Sequence, residues 1–123
     1  MEKRVLVVDD DEIFRKAMET LFKRAGYTVL GAASGEDALA LLQTQPVSAM
    51  FLDLFLPQMD GIELCRRIRQ QFPKATIYAV TGHAVRYDLE DCRKAGFDRC
   101  LMKPVATREL LDAAASAFAA EPG

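Results

Sequence analysis

The chain contains no tryptophan, a single histidine and only three cysteines. Cys65, Cys92 and Cys100 are odd in number and widely spaced, without a C-x-x-C pair or clustered histidines, which excludes a zinc site and leaves core or surface thiols in a reducing compartment. Proline (5) and glycine (7) are too scarce for a disordered chain, and 50% apolar with 28% charged residues is the balance of an ordinary globule. Neither sign of charge prevails. Against 16 Lys and Arg stand 18 Asp and Glu, a weakly acidic sum with no footprint for nucleic acid or anionic lipid; a basic partner surface suits it better. Long hydrophobic runs are missing too: Val5 to Val8 is stopped by three aspartates, far short of a signal-peptide core or a membrane span, so a cytoplasmic location is expected.

At 123 residues the length suits one compact domain with a real core, taken here as residues 1–120 followed by a 121–123 tail. Short apolar runs rich in β-branched residues alternate with stretches of helical spacing, the pattern of a parallel sheet built from βαβ units, so the fold class is α/β. Five strands are expected, at Val5 to Val8, Tyr27 to Ala32, Val47 to Leu52, Thr76 to Val80 and Arg99 to Met102. Between the first two, Phe14, Ala17, Leu21 and Ala25 predict a helix whose face packs on the sheet, ended by Gly26. Ser34 caps a second helix with Ala38, Leu41 and Leu42 as its stripe, and Pro46 ends it. A third starts near Asp60 and carries Cys65, Ile68 and Phe72; a fourth carries Leu89, Cys92 and Ala95 before Gly96. The last begins around Thr107 with Leu110, Leu111, Ala114 and Phe118.

In an open parallel sheet the functional crevice lies beyond the carboxyl ends of the strands. There the first strand runs into Asp9-Asp10-Asp11-Glu12, the third into Asp53, the fourth into Thr81 and the fifth into Lys103-Pro104. Singly, each has a plain explanation as a helix-end acid, a turn cap or a solvated lysine. Asp53 is the exception, because Met50-Phe51-Leu52 and Leu54-Phe55-Leu56 leave it a lone acid in an apolar stretch whose charge something must compensate. Three converging carboxylates repel one another, and a hard divalent cation removes that cost. Mg²⁺ is the natural one, and since it shares itself between carboxylates and a phosphate, the cluster implies a phosphoryl ligand. A carboxylate can attack phosphorus to give an aspartyl phosphate, with Lys103 neutralising the transferring group and the Thr81 hydroxyl donating to one of its oxygens.

Four motifs in order, Val7-Val8-Asp9-Asp10, Leu52-Asp53-Leu54 with Leu56-Pro57-Gln58-Met59-Asp60-Gly61, Val80-Thr81-Gly82 and Lys103-Pro104, make the sequence resemble the receiver domains of two-component response regulators, including the single-domain chemotaxis type, over nearly its whole length. The resemblance implies a flavodoxin-like, doubly wound sheet of order 2-1-3-4-5 flanked by five helices. It makes Asp53 the phosphoacceptor, gives the Mg²⁺ to Asp9, Asp10, Asp53 and the backbone carbonyl of Phe55, and sets Thr81 and Lys103 on the phosphoryl group. It implies a signalling module rather than an enzyme, with a histidine kinase or histidine phosphotransfer domain as donor, an effector protein downstream, and no direct contact with nucleic acid or membrane. The match also implies a cis peptide at Lys103-Pro104, and leaves Asp11 and Glu12 solvated without a site role.

Two departures stand out. Three residues before the lysine, where relatives often carry an aromatic that swings inward, stands Cys100; a thiol is too small for that role, so change on phosphorylation is expected in the loop from Gly82 to Arg86 and the start of the fourth helix. Phe55 and His83 occupy the positions that flank the phosphoryl group and influence water access, His83 being equally readable as a plain loop residue. A dehalogenase-type phosphatase needs a second aspartate two residues after the nucleophile, where Phe55 cannot move a proton. Flavin binding needs a phosphate loop after the first strand, where three aspartates repel a phosphate. A receiver-shaped module that is never phosphorylated is disfavoured by the full set of site residues.

Overall fold

A computed structural model describes residues 2–82 and 89–119. Five parallel strands, β1 (Arg4–Val8), β2 (Thr28–Ala32), β3 (Ala49–Leu52), β4 (Thr76–Thr81) and β5 (Arg99–Met102), form one sheet in the order β2-β1-β3-β4-β5. Five helices alternate with them: α1 (Glu12–Arg24), α2 (Gly35–Thr44), α3 (Gly61–Gln71), α4 (Leu89–Ala95) and α5 (Thr107–Ala119). Both the class and the strand order agree with the sequence expectation. Among the described residues no helix is long and apolar enough to cross a membrane.

Because successive side chains of a strand point to opposite faces, the continuous apolar runs of β1, β3 and β4 serve two cores. Leu6, Val8, Met50, Leu52, Ile77 and Ala79 face α2, α3 and α4, where Ala38, Leu42, Leu64, Cys65, Ile68 and Cys92 meet them. Val5, Val7, Ala49, Phe51, Tyr78 and Val80 face the other way, onto Met18 and Phe22 of α1 and Leu110, Ala113, Ala114 and Ala117 of α5. Phe51 packs between Phe22 and Tyr78 at ring separations of 4.9 and 5.2 Å, and the Tyr78 hydroxyl donates to the Ala113 carbonyl at 2.9 Å, joining β4 to α5.

The helix boundaries follow local chemistry. Asp11 caps α1 by accepting from the Ile13 and Phe14 amides, Ser34 caps α2 by accepting from the Asp37 amide at 3.1 Å, and Asp60 caps α3 by accepting from the Glu63 amide at 2.9 Å. Gly26 ends α1 with φ +99°, the left-handed position expected of it.

Three expectations need correction. The buried face of α1 is Met18 and Phe22, with Phe14 and Leu21 half-buried, whereas Ala17 and Ala25 are exposed. The stripe is centred on Phe22, whose ring meets Phe51 of β3 at 4.9 Å. β3 begins at Ala49 rather than Val47, where its register with Val5 of β1 starts, and β2 begins at Thr28 because the Tyr27 N–H donates back to Phe22 O of α1 at 3.1 Å, its ring stacking on Phe118 at 5.3 Å. In α5 the buried positions are Leu110, Ala113, Ala114 and Ala117, and Leu111 and Phe118 flank them.

Candidate functional site

Strand register brings the chemistry together. Val8 of β1 pairs with Leu52 of β3, Leu52 with Ala79 of β4, and Thr81 with Met102 of β5, so the residues that follow emerge at one edge. The ladder continues one step past each strand: Asp9 N–H donates to Ala32 O at 3.1 Å, Asp53 N–H to Val8 O at 2.9 Å, and Lys103 N–H to Thr81 O at 2.9 Å. The backbones of Asp9, Asp53, Thr81 and Lys103 are therefore held by the sheet.

Asp9, Asp53 and Thr81 are the buried polar residues of the described chain, and each lies at this edge. The Lys103 ammonium donates to Asp9 Oδ2 at 2.8 Å and stands 3.6 Å from Asp53 Oδ2, so one cation serves both buried carboxylates. It also sits 4.2 Å from the centre of the Phe14 ring, a cation–π contact with the ring's negative face. The Lys103-Pro104 peptide is cis. Asp10 is exposed, yet a carboxylate oxygen from each of Asp9, Asp10 and Asp53 lies within 4.8 Å of the others. Three carboxylate oxygens at that spacing, with open solvent beside Asp10, match a hard divalent cation that keeps waters of its own.

Burial first, and the Asp9 carboxylate second, push the Asp53 carboxyl above its ordinary value. Lys103, the Phe55 N–H, which donates to Asp53 Oδ1 at 3.3 Å, and the Thr81 hydroxyl pull in the opposite direction. Asp53 is thus an acid whose ionised form is short of compensation, and a further positive charge would relieve it.

Two contributors escape sequence reasoning. Arg15 Nη1 donates to the Asp9 carbonyl at 2.8 Å and pairs with Glu19 at 3.5 Å, so the first turns of α1 brace the acidic edge. Gly61 opens α3 directly beneath Asp53: a Cβ there would collide with the Asp53 carbonyl oxygen and come within 2.7 Å of Leu54 Cα. The Gly in Asp60-Gly61 was a visible signal for the second; only an i,i+4 pairing of Arg15 with Glu19 hinted at the first. Asp11 takes no part beyond its cap and an N–H bond to Asp9 Oδ1 at 2.9 Å. Phe55, whose backbone N–H meets Asp53, is 43% exposed. His83 and most of the loop from Gly82 to Arg86 lie outside the described residues.

A family model described as "Response regulator receiver domain" matches residues 5–115. PhoP, the alkaline phosphatase synthesis transcriptional regulatory protein of Bacillus subtilis, is 36% identical over 110 residues, 89% of this chain and 46% of PhoP. The chain thus spans about half the length of that relative. A CheY-like response regulator receiver domain protein from Methanospirillum hungatei superposes with a TM-score of 0.87 at 32% identity, covering 91% of this chain and 90% of the other. The receiver domain of the sensor histidine kinase PA1611 from Pseudomonas aeruginosa, solved with a magnesium ion coordinated in its active site cleft, gives 0.88 at 29% identity, covering 98% of this chain and 100% of that one.

Proposed function

The chain belongs to the response regulator receiver domain family of two-component systems, and on that premise we propose that it accepts a phosphoryl group on the Asp53 carboxylate and signals through the change this makes in its surface. The observation that carries the reading is the buried Asp53 carboxylate, with Lys103 and Asp9 beside it and Asp10 open to solvent. Residues 1–120 act as the phosphoacceptor module and 121–123 as a tail.

In the transfer an Asp53 oxygen attacks phosphorus, the bond from phosphorus to the donor's leaving atom breaks, and an acyl phosphate remains on the protein. Asp9, Asp10, Asp53 and the Phe55 carbonyl would hold a Mg²⁺ ion, whose chemistry there would be positive charge set against the phosphoryl oxygens. Lys103, already within reach of Asp53, turns its ammonium onto the incoming group. The Thr81 hydroxyl, bonded to Asp53 before transfer, exchanges that carboxylate for a phosphoryl oxygen, the stronger acceptor. The donor is a histidine kinase or a histidine phosphotransfer domain, and the role is that of a signalling phosphoacceptor, its catalysis confined to its own modification.

Intact-mass measurement after incubation with a small acyl phosphate tests this: the phosphorylated species should form with Mg²⁺ and disappear when EDTA is added first. Equal uptake without metal removes the acidic cluster from the mechanism.

Lifetime follows from Phe55. An apolar side chain two residues after the acceptor cannot orient a water, so Phe55→Asn should shorten the half-life of the phosphorylated form several-fold. An unchanged or longer half-life in a mass time course would assign water access to another residue.

A further inference from the structure

The three thiols gather on the α3–α4 side of the sheet, away from the acidic edge. Cys92 of α4 is buried, Cys100 of β5 is half-buried, and the Cys92 side chain is hydrogen-bonded to the Cys100 thiol. The turn between them is tight: Phe97 N–H donates back to Cys92 O at 3.2 Å, and Gly96 takes φ +112°. Both cysteines line one surface cavity of about 290 Å³, together with Arg93, Asp98 and Arg99. Cys65 lies deeper, fully buried, with its Sγ donating to the Ala95 carbonyl at 3.4 Å and its thiol pushed up to about 12, chiefly by burial. Cys65 is therefore inert, whereas Cys100 borders an opening that admits a small molecule.

We propose that Cys92 and Cys100 are a dithiol site for a low-molecular-weight disulfide of the glutathione class, which converts them to an intrachain disulfide tying α4 to β5. The Cys100 thiolate attacks one sulfur of the oxidised glutathione, whose S–S bond breaks to release one glutathione thiolate. The Cys92 thiolate then attacks the Cys100 sulfur of the mixed disulfide and expels the second glutathione. The two protein thiols lose two electrons and two protons, and one glutathione disulfide becomes two thiols. Arg99 in the cavity wall complements a carboxylate of such a peptide, beside Asp98 and an Arg93 whose guanidinium is already paired with Glu90 at 2.6 Å. Burial raises the Cys100 thiol above its usual range, so the exchange runs over hours at neutral pH. It needs neither metal nor phosphoryl group and stands independently of the acidic site.

The sequence makes the product easy to identify, because trypsin places Cys92 in residues 87–93, Cys100 in residues 100–108 and Cys65 in residues 25–66. The full chain, reduced, desalted and incubated with excess oxidised glutathione, should fall from three free thiols to one and yield peptides 87–93 and 100–108 joined, a link that dithiothreitol reverses. In Cys92→Ser the reaction should stop at a glutathione adduct on Cys100, and in Cys65→Ser the link should form as before. A link to Cys65, a link between chains, a lasting adduct in the unsubstituted chain, or three thiols remaining after overnight incubation would each overturn the assignment.

Discussion

Asp53→Asn should carry no added phosphoryl mass under conditions that modify the unsubstituted chain fully. The amide has nearly the shape of the carboxylate and fits the same pocket at the end of β3, but its oxygen is neutral and cannot attack phosphorus. Folding should survive the change. Burial and Asp9 raise the Asp53 carboxyl, so at neutral pH the ionised group is less favourable in the fold than in water, and a neutral amide removes that disadvantage. Lys103 keeps its 2.8 Å partner in Asp9. The expected result is therefore complete loss of uptake with a melting temperature kept or raised. Metal-dependent uptake that persists in the variant would place the acceptor elsewhere, and a collapsed melting transition would show that Asp53 is structural.

Gly61→Ala should be the most damaging single-methyl change in the described chain. The added Cβ would meet the Asp53 carbonyl oxygen, Leu54 Cα at 2.7 Å and the Asp53 carbonyl carbon at 3.0 Å. All three are backbone atoms, and the Asp53 amide is tied to Val8 while the Gly61 amide donates to Leu54 O at 2.9 Å, so neither side can give without breaking a ladder bond. Overpacking of this kind costs about 3 kcal/mol or more. For a domain of this size that is a fall of roughly 10–15 °C in melting temperature. Phosphoryl uptake should slow as well, since the displaced atoms carry Asp53. Gly26 supplies the contrast: its φ of +99° makes alanine unfavourable by about 1–2 kcal/mol, but a Cβ there has nothing within 4 Å. If the two variants melt alike, steric contact at Gly61 is not what fixes that residue.

The acidic edge was legible because its residues end or closely follow apolar strands, and a parallel sheet sends all such positions to one side. Asp9, Asp53, Thr81 and Lys103 needed no knowledge of packing beyond that. Arg15 did, since a guanidinium that reaches the carbonyl of Asp9 depends on how α1 lies over β1. The rotated face of α1 has a similar origin: Ala17 and Met18 are both apolar, and only the packing of α1 over the sheet, with Phe22 against Phe51, decides that Met18 and Phe22 are the buried pair. Nor could Phe14 be recognised as the ring beside Lys103, because the two lie far apart in the chain and meet only where α1 and the residues after β5 come together at the strand ends.

Strand order also sets a timetable for synthesis. β1 is flanked by β2 on one side and β3 on the other, so its second edge stays unpaired until Leu52 has left the ribosome, some forty residues after Val8. At about 5–20 residues per second, a ribbon of valine and leucine backbone waits roughly 2–9 s for its partner. During that interval the nascent chain holds an open template for any other extended segment, and slowing translation between Gly26 and Ala49 lengthens the exposure of the strand that carries Asp9.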